Sequence, residues 1–140
     1  MSTSNEQLVL SMFRAVEDRN VDRLLEIYDP DVVFVWPPEL PYGGEHRADG
    51  VVAMSEAFAE AWDPVQRSER ARRFNPRVLG SRGDEVVVLY DQRGEDGRGD
   101  TCETEVIGLY TVVGDRVTRL KMFYFDPGKI TGFLAEALGR

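Results

Sequence analysis

The sequence is poor in the residues that form disulfides and metal sites. Its 140 residues include a single cysteine and a single histidine. An internal disulfide is therefore excluded, and so is a zinc site built from His and Cys ligands. We expect no metal and no cofactor.

Positive charge is also scarce. Asp and Glu number 25 against 17 Lys and Arg, which gives a formal net charge of −8. Proteins bind nucleic acids mainly through Lys and Arg side chains that neutralise the phosphates. The charge balance therefore argues against a nucleic-acid partner.

A long hydrophobic run is missing as well. No stretch approaches the roughly 18 consecutive apolar residues that a membrane helix requires, and the N-terminus lacks the basic and apolar regions of a secretory signal. We expect no membrane partner and a cytoplasmic location. The length suits one domain, so residues 1–140 are predicted to form a single folded unit.

Three N-terminal segments have the apolar spacing of amphipathic helices. The first covers residues 8–16. The second follows Asn20, a suitable N-cap, and ends at Pro30. The third covers residues 54–62, with Asp49 as its cap.

The rest of the chain is rich in β-branched and aromatic residues, which favour strands. A last helix is predicted over residues 133–138. Helices followed by a run of antiparallel strands predict an α+β fold, with the helices on one face of a curved sheet. The predicted strands are residues 32–36, 70–79 (at an edge or with a bulge, because of Pro76), 85–92, 101–113 and 116–126.

This order of elements and several short sequence segments resemble the SnoaL-like, nuclear transport factor 2-like superfamily, to which ketosteroid isomerases also belong. The resemblance spans nearly the whole chain and rests on the order and spacing of five segments. They are Ile27-Tyr-Asp-Pro-Asp-Val-Val-Phe-Val-Trp36, Leu40-Pro-Tyr-Gly-Gly-Glu-His-Arg47, Gly83-Asp-Glu-Val-Val-Val88, Val113-Gly-Asp-Arg-Val117 and Phe123-Tyr-Phe-Asp-Pro127.

The resemblance implies a cone-shaped α+β barrel. A strongly curved, mostly antiparallel sheet would wrap around three N-terminal helices and enclose a deep apolar pocket. Members of the superfamily are commonly dimers, and they include polyketide cyclases, isomerases, dehydratases, epoxide hydrolases and plain binders. The fold alone therefore does not select a reaction.

Several positions depart from the catalytic patterns of the superfamily. Trp36 stands where ketosteroid isomerases have their proton-shuttling aspartate, and Met12 stands where they have the oxyanion-hole tyrosine. An indole is not a usable base, and a thioether cannot donate a hydrogen bond. The Arg-Asp pair of limonene-type epoxide hydrolases is matched here by Tyr90 and Gln92. The chain is therefore not expected to use the catalytic residues of ketosteroid isomerases or those of limonene-type epoxide hydrolases.

The facing of residues 101–113 depends on the register of the last hairpin. A two-residue turn at Gly114-Asp115, of the type II′ kind, places Leu109 opposite Leu120. The resemblance implies that Leu120, Met122 and Tyr124 face the pocket, so Glu103 and Glu105 would then face it too. A three-residue loop reverses the facing and turns both glutamates outward. We favour the first register, because Gly-Asp is a common sequence in two-residue turns and this register pairs apolar residues with apolar residues.

In that register, the carboxylates of Glu103, Glu105 and Asp126 lie close together near the pocket. The pKa of at least one of them should rise, because like charges repel. We expect Glu105 and Asp126 to exchange a proton with the substrate. Tyr90 or Tyr124 would stabilise the developing oxyanion. His46, in a glycine-rich loop, is a further candidate for proton transfer.

Aromatic and flexible apolar side chains are predicted to line the pocket and suit a flat, apolar, oxygenated ligand. Phe123 and Phe125, with Val117, are expected on the outer sheet face, where a second subunit would cover them. The predicted lining residues are Met12, Trp36, Tyr42, Phe58, Trp62, Gln92, Tyr110 and Met122.

The leading hypothesis is a cofactor-independent cyclase, isomerase or dehydratase that acts on a polyketide-like or other apolar secondary metabolite. The first alternative is a binding protein that holds such a ligand in the same pocket without turnover. An epoxide hydrolase or epoxide-opening cyclase and a protein-interaction module remain as further alternatives.

Overall fold

The computed structural model describes residues 4–47 and 50–137, so Asp49 and residue 138, named above in two helix predictions, lie outside the described residues. Two helices begin the chain and a third follows the first two strands; a 3-10 turn, a four-residue helix and a C-terminal helix come later. Their bounds are α1 Ser4–Glu17, α2 Val21–Ile27, α3 Gly50–Trp62, the 3-10 turn Asp63–Val65, α4 Glu69–Arg72 and α5 Pro127–Ala137.

The strands form one six-stranded sheet in the order β2-β1-β6-β5-β4-β3. Strand β1 runs parallel to β6, and every other neighbouring pair is antiparallel. The sheet is curved but not closed, and the α+β cone predicted from the sequence is confirmed. The bounds are β1 Tyr28–Trp36, β2 Gly44–His46, β3 Arg77–Arg82, β4 Glu85–Glu95, β5 Thr101–Val113 and β6 Arg116–Tyr124.

Local sequence explains the elements that hold the core. In α2, Asn20 is the N-cap and accepts a hydrogen bond from the backbone N–H of Arg23 at 3.1 Å, as predicted. In β5, residues alternate between buried and exposed from Thr101 to Val112, so one face of this strand is continuous with the core.

Two boundaries differ from the sequence prediction. Residues Glu69–Arg72 are helical rather than extended, because the hydroxyl of Ser68 caps the first turn by accepting from the N–H of Ala71. Strand β1 begins at Tyr28, so Pro30 lies inside a strand rather than at a helix end. The segment after Pro76 does form an edge strand, as expected.

The favoured register of the last hairpin is wrong, although the turn has the expected two residues. Val113 pairs with Arg116, and both Gly114 and Asp115 have positive φ, as a type I′ turn requires instead of type II′. A β-bulge then adds Thr118 to β6 and shifts all later pairs by one residue.

The bulge decides which side chains of β5 face the core. Beyond it, Tyr110 pairs with Leu120 and Gly108 with Met122, so Glu103 and Glu105 point to the outer face. It also leaves Val117 fully buried, which corrects the expectation that this residue lies on the outer face.

Candidate functional site: an internal cavity

A cavity of about 190 Å³ lies between helices α1 to α3 and the inner face of the sheet. Its walls are mainly aromatic and aliphatic, as in small-molecule sites of other proteins. The lining residues are Met12, Phe13, Val16, Arg19, Val21, Leu24, Tyr28, Phe34, Trp36, Met54, Ser55, Glu56, Phe58, Ala59, Asp63, Phe74, Tyr90, Gln92, Tyr110, Leu120 and Met122.

The charged lining residues lie where the cavity meets solvent. Arg19 donates from Nε to the Asp63 carboxylate at 2.7 Å, and the Asp63 side chain is 45% exposed. Arg19 also donates to the side-chain oxygen of Gln66 at 2.7 Å and lies 5.5 Å from the ring centre of Phe58. Glu56 is exposed. We refer to Arg19, Glu56 and Asp63 as the mouth.

The opposite end of the cavity is buried and contains neutral polar groups. Strand β4 supplies Tyr90 and Gln92 from successive inward positions, and β5 supplies Tyr110. The hydroxyls of Tyr90 and Tyr110 donate to the sulfur of Met122, at 3.4 and 3.7 Å. A thioether is a weak acceptor, so these hydroxyls remain available to a stronger one. We call these four residues the inner end.

Gly108 makes room for one of these groups. A Cβ atom at this position would lie 2.5 Å from the hydroxyl oxygen of Tyr110 and 2.6 Å from its ring. The Tyr110 side chain therefore lies across the space that a larger residue at 108 would occupy. This packing holds its hydroxyl against Met122.

A chain of buried hydrogen bonds joins Trp62, Tyr42 and Tyr124. Trp62 donates from Nε1 to the Tyr42 hydroxyl at 2.8 Å, and the Tyr42 and Tyr124 hydroxyls are 2.8 Å apart. Because an indole N–H only donates, the Tyr42 oxygen accepts there and its own proton is free for Tyr124. The chain therefore satisfies the buried polar groups behind the cavity.

Burial keeps these phenols protonated. Loss of hydration raises the pKa of Tyr90, Tyr110 and Tyr124 well above the usual value of 10.0, and burial also raises that of Tyr42. Protonated phenols donate hydrogen bonds and do not act as bases at neutral pH. The two tyrosines of the inner end, Tyr90 and Tyr110, are therefore neutral donors.

Gln92 differs from the tyrosines because its amide has no partner. The residue is 0% exposed, and neither Nε2 nor Oε1 has a hydrogen-bond partner within residues 4–47 and 50–137. Such orphaned atoms are rare in folded proteins and usually have a reason.

Seven predicted pocket residues do line the cavity, and three more lie directly behind it. The second group is the hydrogen-bonded chain of Tyr42, Trp62 and Tyr124. The first group is Met12, Trp36, Phe58, Tyr90, Gln92, Tyr110 and Met122.

The structure places the three remaining candidates outside the cavity. Glu105 is on the outer face, 66% exposed and 3.9 Å from Arg77. Asp126 is exposed and caps α5, where its Oδ1 accepts from the N–H of Lys129 at 3.0 Å. His46 is half-buried, with Nε2 only 2.8 Å from the carbonyl oxygen of Gly43. The bulge explains Glu105, since the other register would have turned it inward.

Sequence reasoning missed the mouth. Arg19 follows the first helix with a left-handed φ of 54° and reaches residues 63 and 66, far along the chain. Nothing local in the sequence indicates that contact. The bulge did leave a signal, because the step from Val117 to Leu120 breaks the two-residue alternation of inward positions in β6.

The fold and the cavity together define a small α+β cone protein with an internal apolar pocket. The sequence profile of the SnoaL-like domain family matches residues 9–120. The chain therefore belongs to the SnoaL-like domain family, which confirms the resemblance seen in the sequence. An uncharacterised protein of Mycobacterium tuberculosis (strain ATCC 25618 / H37Rv) is 30% identical over 129 residues, covering 91% of this chain and 94% of the relative.

Solved structures show the same fold at lower identity. TerC, co-crystallised with polyporic acid, superposes with a TM-score of 0.74 at 20% identity, covering 99% of this chain and 100% of that one. An NTF2-like protein of unknown function from Burkholderia pseudomallei gives the same values. A proposed polyketide cyclase from Acidithiobacillus ferrooxidans has a TM-score of 0.70 at 17% identity, with 98% of each chain covered.

Two further findings concern the described part of the chain. It contains no helix long and apolar enough to cross a membrane. It also contains no group of three or more His, Cys, Asp or Glu side chains placed to hold a metal ion.

Proposed function

We propose that this chain binds an apolar, oxygen-bearing small molecule of the polyketide-like kind in its internal cavity. The observation that carries the proposal is the cavity itself, about 190 Å³ with aromatic walls and neutral donors at its buried end. An apolar ring system fits such walls, and one or two oxygens would accept from the donors.

The placement of the acids favours binding without turnover. Glu105 and Asp126, the expected proton-transfer pair, lie outside the cavity. Within the described residues, the only carboxylates that line it are those of Glu56 and Asp63, at the mouth. A ligand bound at the inner end would therefore meet donors and no base.

A second candidate is a cyclase or isomerase that uses the same cavity. It is favoured by the Tyr90 hydroxyl, which lines the cavity with only a weak thioether acceptor, because a phenol that donates to a carbonyl stabilises a developing enolate. Asp63, paired with Arg19 at the mouth, would be the proton acceptor.

A large side chain placed in the cavity tests whether ligands use it. Ala59 lines the cavity from α3, and Val52 is an exposed residue on the same helix. Ala59→Trp should abolish binding of an apolar probe such as naphthalene, whereas Val52→Trp should leave it unchanged. Equal binding by both variants would contradict the proposed site.

The two candidates differ in the fate of the ligand. Mass spectrometry of protein purified from its own host would identify a co-purifying small molecule, which is then incubated with fresh protein. A binding protein returns it unchanged. An enzyme converts it, and Tyr90→Phe then lowers kcat more than it weakens binding.

We also propose that two copies pair through the outer sheet face. Ile107 and Phe123 form an exposed cross-strand pair, and Phe125 beside them is 87% exposed. Along the strands, Glu105 lies at one end of this apolar patch and Lys121 at the other. A two-fold axis across the strands would therefore set the basic end of one copy against the acidic end of the other.

Sedimentation measures this pairing directly. Phe123→Glu should give monomers, while Leu79→Glu, at an exposed residue of edge strand β3, should leave the dimer intact. A wild-type protein that sediments as a monomer at high concentration would contradict the proposal.

A further inference from the structure

The chain contains two fully buried glutamines that differ in one respect. Gln66 is satisfied: its Nε2 donates to the carbonyl of Arg93 at 2.8 Å, and its Oε1 accepts from Arg19 at 2.7 Å. Gln92 is equally buried, lines the cavity, and has neither a donor nor an acceptor partner in the described part of the chain. A buried amide without partners costs free energy, so a role in binding explains its presence.

The surroundings of Gln92 define which ligand group could form hydrogen bonds with its amide. The amide presents an N–H donor and a carbonyl acceptor side by side. The charged lining residues Arg19, Glu56 and Asp63 all lie at the mouth, so no described charge would compensate an ion at the inner end. An ionised group would be strongly disfavoured there.

We infer that Gln92 is the specificity-determining residue, and that it reads a neutral ligand edge carrying a donor and an acceptor on adjacent atoms, as in a lactam or a hydroxycarbonyl. The inference rests on the proposed binding function. Such an edge forms two hydrogen bonds to the amide at once. Tyr90, the next inward position on β4, then donates to a further ligand oxygen.

Three bicyclic probes of similar size test the inference. 2-Quinolone has the adjacent N–H and C=O, N-methyl-2-quinolone keeps only the acceptor, and naphthalene has neither. Calorimetric titration of the wild-type chain should show 2-quinolone binding about ten-fold more tightly, or better, than the other two, because a site built for a hydrogen-bonding group rejects analogues that lack it.

The variant Gln92→Met keeps the volume and removes the amide. It should bind the three probes with nearly equal affinity, and its melting temperature without ligand should rise because an unsatisfied amide is gone. Gln7→Met, the same change at an exposed glutamine outside the cavity, should keep the ten-fold preference. A preference that survives in Gln92→Met would overturn the inference, since it would then be steric.

NMR spectroscopy of the wild-type chain tests the inference without any substitution. The side-chain ¹⁵N–¹H resonances of Gln92 should shift with 2-quinolone and much less with N-methyl-2-quinolone, while those of Gln66 stay in place. Equal shifts would contradict the inference. If naphthalene and both quinolones all fail to bind, the proposed function itself is wrong.

Discussion

The two faces of strand β5 carry opposite kinds of chemistry. Its inner face presents Val106 and Tyr110, buried and neutral, and its outer face presents Glu103 and Glu105, exposed and charged. These sets alternate along the same strand. The difference shows that the charged side chains of this strand lie on the solvent-exposed face, whereas the polar group that a ligand in the cavity can reach is uncharged.

Arginines balance the outer acids. Asp91 accepts from Arg77 at 3.0 Å and from Arg93 at 3.1 Å. Glu103 lies 3.4 Å from Arg93 and 3.6 Å from Arg70. Each of these two acids therefore has arginine partners, which hold its carboxylate in ion pairs on the outer face.

A single charge placed on either face should have unequal effects. Val106→Asp buries an unpaired carboxylate and is expected to lower the free energy of unfolding by about 3–5 kcal/mol. Glu105→Gln, one residue away on the exposed face, should change it by only about 0.5 kcal/mol. Urea denaturation measures both, and similar losses would show that the facing of β5 is not as described.

Removal of a tyrosine hydroxyl should cost more stability where the hydroxyl accepts from a buried N–H than where it only donates to the sulfur of Met122. Tyr42→Phe leaves the Trp62 N–H without its acceptor and should cost about 1–3 kcal/mol. Tyr110→Phe removes only a donor to Met122 and should cost clearly less. Thermal melts compare them, and a reversed order would contradict the hydrogen-bond chain.

The inner face should fail at alkaline pH. Unfolded tyrosines ionise near pH 10, whereas burial raises the pKa of Tyr90, Tyr110 and Tyr124 well above that value in the folded chain. Their stabilisation is therefore full below pH 10 and is lost as the pH rises further. Tyrosinate absorbance from these residues should appear together with unfolding. Its appearance in a folded chain would show that the phenols are hydrated.

The outer face should fail at acid pH. Burial alone would raise the pKa of Asp91, but hydrogen bonds from Arg77 and Asn75 lower it below the usual 3.8. That stabilisation is present above pH 3.8 and is lost as the pH falls. Asp91→Asn should reduce the acid sensitivity of the unfolding free energy and leave the alkaline transition unchanged.

The spacing of apolar residues was sufficient to predict the α+β class, whereas the pocket and the inward facing of Met122 were implied by the resemblance to the SnoaL-like superfamily. The facing of β5 was predicted from a regular two-residue period along the last hairpin. Thr118 breaks that period, and one inserted residue reverses every prediction across the hairpin. Arg19 could not be placed, since its partner Asp63 lies 44 residues away in the sequence and becomes a neighbour only in the folded chain.

Ligands are expected to bind on the inner face of the sheet and not on the outer one. Methyl resonances distinguish the two faces, because Met12, Met54 and Met122 line the cavity and Ile107 lies on the opposite face. In a titration with 2-quinolone, the three methionine methyls should shift and saturate together while the Ile107 methyls stay unchanged. Saturating shifts at Ile107 with unmoved methionines would contradict this expectation.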